Sequence, residues 1–415
     1  MGYIKKKMIH LLGIYVGLII LFTGSLWLLQ LIPNSWMTEA QESFQYVWNE
    51  EYVQGGYPSP MFASGQSDLD IYTDHKMYER LTANEDMTAL ESAMDAQGYP
   101  RYWHGYLTVL KPLSIFFTYR EIRYINMFVV NILLAVVAIM LYKHTERGWG
   151  NACAYVAAAT SIFVLVVPIS FQYMASFTGM LLMTLAVILN YKKMRIGMVE
   201  MFFACGMCIN FMDFLTYPIV TLGVPLIALL LLSLKDDRVN FFAGLRKIII
   251  YSVLWTAGYA ASWATKWILA SVVLKKNVLL DAAGQAAFRI AGDAEQAANH
   301  REALRANFSN LNYLKWDMKV VVPVLCLLLA GMGFFLWRKN KRRTGIYALI
   351  LLVCTYPYLW YLVLANHSQI HCFFTFRAQM ITAFGILAVL LGMAGDLLCL
   401  RRSADALSCD RDRGS

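Results

Sequence analysis

Charge is scarce in this chain of 415 residues: Asp, Glu, Lys and Arg make up 15% of it, against 59% hydrophobic residues. Soluble domains average about 25% charged and 45–50% apolar. A soluble enzyme, a disordered protein and a disulfide-stapled secreted domain are thereby excluded. The sequence also lacks a Walker loop, and no GxGxxG or GxSxG stretch sits in a suitable context, so nothing points to ATP, a dinucleotide or a serine nucleophile. No internal repeat is visible, which weighs against transporter folds built from inverted repeats. No small-residue cleavage site follows Ile32-Pro33-Asn34, so the first apolar run reads as an uncleaved anchor. The eight cysteines lie mostly inside apolar runs and imply no disulfide framework. Cys205 and Cys208, a CxxC within such a run, read as buried thiols on one helix face.

Apolar length and interfacial aromatics are abundant instead. Mean hydropathy is +0.49, and there are 11 Trp and 24 Tyr, the side chains that collect at membrane–water interfaces. A membrane helix takes about 20 apolar residues. Ten segments have suitable length: 9–32, 124–142, 150–168, 173–191, 198–213, 217–234, 248–274, 320–337, 345–364 and 378–399. The expected fold class is therefore all-α, a polytopic integral membrane helical bundle of about ten transmembrane helices forming a single domain over 1–415.

The net charge of +9 suggests nucleic acid at first sight, but the basic residues sit in short clusters between apolar runs. With Lys5, Lys6 and Lys7 inside, the inner connections are 143–149, 192–197, 235–247, 338–344 and the tail 400–415. Those pieces and the adjoining helix ends carry 21 of the 36 basic residues and 8 of the 27 acids, a net of +13 against −4 outside. This is the positive-inside pattern. It places both chain ends in the cytoplasm and the active face outside the plasma (cell) membrane. Two outer segments are long. The first, 34–123, carries twelve acids between Glu39 and Arg101 and re-enters the membrane near its end; the second, 275–319, contains the helix-forming stretch Asp281–Asn307.

Polar residues near the membrane mark function by default, and here they gather at the outer ends of helices. Asp70 and Asp74 are four apart and share a helix face. Two close carboxylates suit a general base or a divalent cation held by oxygen ligands, and an acidic solvated loop is the alternative. Tyr99-Pro100-Arg101-Tyr102-Trp103-His104-Gly105-Tyr106, followed by Lys111-Pro112, offers Arg101 and His104 to a phosphate and aromatic faces to a sugar or a lipid cleft. An interfacial aromatic belt would look the same. Asp213, in Asn210–Pro218, either faces a watery cleft or caps the next helix. His367 and His371 are spaced as zinc ligands often are, without a glutamate or a visible third ligand. With Arg377 they fit a phosphate or sugar hydroxyls better. No cofactor is certain. Asn307 and Asn366 match the glycosylation sequon.

Four of these stretches together resemble a family of uncharacterised multi-pass membrane proteins of Gram-positive bacteria: Asp70–Asp74, Arg101–Tyr106 with Lys111-Pro112, Asp213–Pro218 and Asn366–Arg377. The architecture, one helix, a long acidic outer loop and then many helices, resembles the GT-C class of membrane glycosyltransferases. That resemblance implies a carboxylate of the first outer loop as catalytic base, here Asp70 or Asp74. It implies a polyprenyl-phosphate-linked sugar as donor, with Arg101, His104, His371 and Arg377 around the phosphate and Asp213 as an orienting group. The expected function is transfer of that sugar to an extracytoplasmic cell-envelope acceptor, with membrane lipid as surroundings and neither nucleotide nor nucleic acid as partner. The alternatives are a lipid-linked saccharide flippase, which needs no base, and a non-catalytic envelope-assembly protein.

Overall fold

The computed structural model describes residues 2–53, 71–193, 197–312 and 315–412. Helix α1 (Gly2–Leu29) comes first and is long and apolar enough to cross a membrane. The first long loop then carries α2 (Thr38–Trp48), α3 (Ile71–Glu79), α4 (Ala89–Asp95) and α5 (Leu107–Leu113). The bundle continues through α6 (Tyr119–His144), α7 (Gly148–Ser161), α8 (Met174–Lys193), α9 (Met198–Met212), α10 (Val220–Ser233) and α11 (Phe241–Leu274). The second long loop holds α12 (Val278–Ala291) and α13 (His300–Leu311). The chain closes with α14 (Met318–Lys339), α15 (Lys341–Val353), α16 (Tyr356–Val363), α17 (Ala365–Ile370), α18 (Cys372–Thr375) and α19 (Met380–Asp412). No strand occurs among the described residues. Local chemistry sets the boundaries. Thr88 with Glu91 and Thr118 with Glu121 form capping boxes at α4 and α6, and Asn240, Asn277, Asn299, Asp317 and Asn340 cap five later helices.

All ten expected segments are helical. Seven helical stretches are long and apolar enough to cross a membrane. The other three, α7, α9 and α10, have 14, 15 and 14 residues. At about 1.5 Å per residue they fall short of a hydrocarbon layer about 30 Å thick. The sequence shows apolar length but not where regular backbone stops. After α7 the chain turns at Phe163 (φ +58°) and runs through two 3₁₀ turns, Val167–Ile169 and Phe171–Tyr173. Between α9 and α10 it turns at Leu215 (φ +69°). The expected single helix over Asp281–Asn307 is two helices, broken at Gly292. There φ is +75°, and a Cβ would lie 1.8 Å from the Gln296 carbonyl oxygen.

Helix α10 is buried along its whole length and forms the centre of the bundle, packed on α8, α15 and α19. At one end of the bundle the basic connections interlock. Asp396 accepts from Arg147 at 2.8 Å, from Arg343 at 2.7 and 2.9 Å, and from the Tyr347 hydroxyl at 2.9 Å. Arg343 also pairs with Glu146 at 2.7 Å, and Arg342 donates to the Leu234 and Asp236 carbonyls at 3.0 Å. The connections 143–149, 235–247 and 338–344 thus share one end with α19, as the charge alternation requires. Removing Asp396 deletes the buried carboxylate shared by Arg147, Arg343 and the Tyr347 hydroxyl and leaves Arg343 with Glu146 alone. Asp396→Ala is expected to destabilise the purified protein by about 3 kcal/mol, read as a lowered Tm in detergent, whereas Asp237→Ala, at an exposed carboxylate, should leave Tm nearly unchanged.

Candidate functional site

The first long loop is fastened to the bundle through Asp74, which is fully buried on α3. Its carboxylate accepts from the Tyr119 hydroxyl at 2.7 Å, the Phe171 N–H at 3.0 Å, the Ser170 hydroxyl at 3.3 Å and the Gln172 N–H at 3.3 Å. Tyr119 in turn accepts from Arg123 at 2.7 Å, and Arg123 grips Glu51 with two bonds of 2.8 and 3.0 Å. Burial pushes the Asp74 carboxyl up to about 6 against the pull of these donors. A carboxylate has about four lone-pair sites, and all are engaged. The carboxylate therefore splices the irregular 170–172 backbone to α3. Asp70, the other half of the expected pair, lies outside the described residues.

Beside this splice opens an apolar groove of about 1060 Å³ between α1, α5, α6, α8 and α9. Leu18, Leu113, Val129, Leu182 and Cys208 contribute one wall residue from each helix. Leu21, Val109 and Leu182 in its walls are 61%, 52% and 51% exposed, so the groove is open along its side. At one end it reaches Glu200, which pairs with Lys7; at the other it reaches Met77, Tyr106 and Phe171. Cys205 and Cys208 are both free thiols on this wall.

A second polar layer surrounds the 213–217 turn. Asp213 accepts from the Thr216 N–H at 2.8 Å, the Ser176 hydroxyl at 2.8 Å and the Thr216 hydroxyl, which is a turn-capping arrangement. The left-handed Leu215 turns its carbonyl to His367 Nε2 at 2.8 Å, and Arg289 meets His367 Nδ1 at 2.7 Å. A guanidinium only donates, so Nδ1 accepts, Nε2 carries the proton and His367 is neutral. Burial and the Arg289 charge hold its pKa well below the ordinary value. His371 lies against Phe374 and His367, with ring centroids 5.1 and 4.8 Å away. His104 contacts the Tyr99 carbonyl at 2.9 Å and packs 5.4 Å from Phe214. Arg377 is fully buried, donates to the Phe373 carbonyl at 3.0 Å and lies 4.6 Å over the Tyr173 ring. Its Nε and Nη2 have no partner. Tyr217 donates to the Tyr173 carbonyl at 3.2 Å, which joins this layer to the Phe171–Tyr173 turn held by Asp74.

Of the residues singled out from sequence, His104, Asp213, His367 and His371 gather at the 213–217 turn, and Arg377 adjoins them through Tyr173. Arg101 is engaged elsewhere: it pairs with Asp281 at 2.8 and 3.0 Å, and its carbonyl accepts from Trp263 and Trp267. Neither Asp74 nor any of these six lines the groove. Sequence reasoning missed Arg289, which reaches His367 only because the second loop folds back. It also missed Asn307, buried and bonded to the Ser368 carbonyl at 2.7 Å and Thr375 at 2.6 Å. Both sequon asparagines, Asn307 and Asn366, are buried, so neither offers a glycan site. Among the described residues, no three His, Cys, Asp or Glu side chains come together as a metal site requires. Compared with protein-family models, curated proteins and solved structures, the chain matches none.

His367 supplies a pH test. Its folded pKa is depressed, so the unfolded chain binds the proton first, and its contribution to stability is full above about pH 6.5 and lost as pH falls below it. The wild-type Tm should fall between pH 7.5 and pH 5, and His367→Gln should remove part of that slope. Equal slopes would mean that His367 is not held neutral by Arg289 and Leu215.

Proposed function

We propose that the protein is a GT-C-like membrane glycosyltransferase, which transfers a sugar from a polyprenyl-phosphate donor to an envelope acceptor at the outer face of the plasma membrane. The observation that carries this reading is the groove. A side-open apolar channel between helices suits one long lipid chain. It ends at Met77, Tyr106 and Phe171, directly beside the polar layer that the first outer loop builds. A lipid lodged there presents its headgroup to that layer.

The chemistry assigned is direct displacement at the anomeric carbon. A carboxylate takes the proton of the acceptor hydroxyl, the new C–O bond forms, and the bond to the donor phosphate breaks with its electron pair on the phosphate. Cations in a low-dielectric site offset that charge. Asp74 has no free lone pair, so it acts as the clamp and the base role goes to Asp70. Arg377 has two open N–H positions in the outer layer and takes the saccharide end of the donor, with His371 beside it. Arg101 and His104, engaged with Asp281 and Tyr99, position the loop. The second reading, a lipid-linked saccharide flippase, is favoured by one feature: the groove also reaches Glu200 and Lys7, at its far end.

A transfer assay on the purified protein, with a panel of polyprenyl-phosphate sugars, separates these readings. Asp70→Asn should lower transfer about 10²–10⁴-fold and leave donor binding and Tm intact. Asp74→Asn should lower Tm first, because an amide cannot accept from all four donors. Arg377→Ala should weaken donor binding by about tenfold or more. Donor binding without transfer of any sugar, and equal mild effects of the two Asp variants, would move the assignment to the flippase.

A further inference from the structure

The second long loop delivers one guanidinium, that of Arg289, to the 213–217 layer. Helix α12 is set on α17 by two adjacent bonds. Asn366 Nδ2 donates to the Phe288 carbonyl at 2.9 Å, and Arg289 donates to His367 Nδ1 at 2.7 Å. His367 is buried and its other nitrogen is bound to the Leu215 carbonyl, so the guanidinium rests on a ring held at both nitrogens. The His371 ring lies 4.8 Å from the His367 ring and stacks on Phe374 at 5.1 Å. The Arg289 charge acts on His367, His371, Tyr102 and Tyr259, which all face this one cation.

Arg289 and His371 are both half-buried, and both have donors to spare. A guanidinium has five N–H donors, and among the described residues His367 is the one hydrogen-bond partner of Arg289. The His371 ring makes no hydrogen bond among the described residues. Burial and the Arg289 charge lower its pKa to about 4, so at neutral pH it is uncharged and has one N–H to offer. Elsewhere the cations have carboxylates: Arg101 has Asp281, Arg123 has Glu51 and Arg343 has Asp396. Here the charge of Asp213 reaches Tyr102 and Tyr259 as that of Arg289 does, but its oxygens are taken by Ser176 and Thr216. The charge of Glu302 reaches Cys372 and neither His367 nor His371. Two guanidiniums, Arg289 and Arg377, thus stand against one carboxylate, with His367 and His371 neutral. Uncompensated charge in a desolvated layer is costly, and a bound anion offsets it.

We infer that Arg289 and His371 form an oxyanion site that takes a phosphate or carboxylate group of a ligand outside the groove. The guanidinium fork matches either group, and the imidazole N–H adds a donor beside it. None of Arg289, His367 and His371 lines the groove, so the site is separate from the seat of the lipid chain. The inference rests on the glycosyltransferase reading for the source of that group: with the lipid-linked donor in the groove, the oxyanion belongs to the acceptor, which is then an acidic saccharide.

The test is isothermal titration calorimetry on the full-length protein in detergent, with glucose 6-phosphate, glucuronate, inorganic phosphate and glucose as probes. The wild type should bind both acidic sugars more tightly than glucose, by about tenfold or more. Arg289→Gln should remove that preference. His371→Gln, which leaves the contact between Arg289 and His367 in place, should reduce it several-fold at little changed Tm. A wild type without the preference, or an unchanged preference in both variants, overturns the inference, while the transfer assay with polyprenyl-phosphate sugars still decides the glycosyltransferase reading. Inorganic phosphate bound as tightly as glucose 6-phosphate, with the same dependence on Arg289, overturns the acceptor as the source of the oxyanion. An Arg289-dependent preference in a protein that transfers no polyprenyl-linked sugar supports the site and overturns the glycosyltransferase reading.

Discussion

The constraint on which the structure depends is that backbone N–H and C=O groups near the bilayer must be satisfied from within the chain. Helices α7, α9 and α10 stop short, and irregular backbone follows α7 and α9. The breaks are met by polar side chains, most of them from other elements. Asp74 takes the N–H groups of Phe171 and Gln172, and Asp213 takes that of Thr216. His367 takes the Leu215 carbonyl, Asn307 that of Ser368, and Lys266 that of Met94. The polar layer is in large part the capping system of interrupted helices, and this explains why both long loops fold back onto the bundle.

The same constraint separates two kinds of polar residue. Those whose capacity is spent on backbone hold the fold. Arg377, whose Nε and Nη2 have no partner, keeps capacity left over and is equipped for a ligand. The Phe171–Tyr173 turn joins the groove to this layer: its first residue is a wall of the groove and bonds Asp74, and its last carries the ring beneath Arg377. Function in this reading is concentrated where backbone accounting leaves donors unspent, next to a cavity that only an apolar chain fills well.

Much of the frame was legible in the sequence. Each of the ten apolar runs holds a helix, seven helical stretches being long enough to span a membrane, and three of the basic connections placed together on charge grounds meet around Asp396 and Arg342. The unusual residues His104, Asp213, His367 and His371 do assemble. Their local tasks were not legible, because a capping aspartate and a substrate-binding aspartate look alike until the backbone they serve is known. Arg289 carried no local signal and Asn307 only that of a sequon, since their partners are 78 and 61 residues away. Lys111 was visible beside Pro112, but only burial without a partner distinguishes it from a snorkelling lysine. The groove was invisible from sequence, as it is built from one face of each of five helices.

The most direct measurement of the central claim is photocrosslinking with a polyprenyl phosphate that carries a diazirine along its chain, followed by mapping of the labelled peptides. Helix α14 is the internal control, because its apolar surface, including Leu327, Phe334 and Phe335, is exposed to lipid but forms no part of the groove. Labels confined to α1, α5, α6, α8 and α9, and displaced by unlabelled polyprenyl phosphate, are the result predicted here. Labels spread over α14 as densely as over the groove, with no competition, would contradict it.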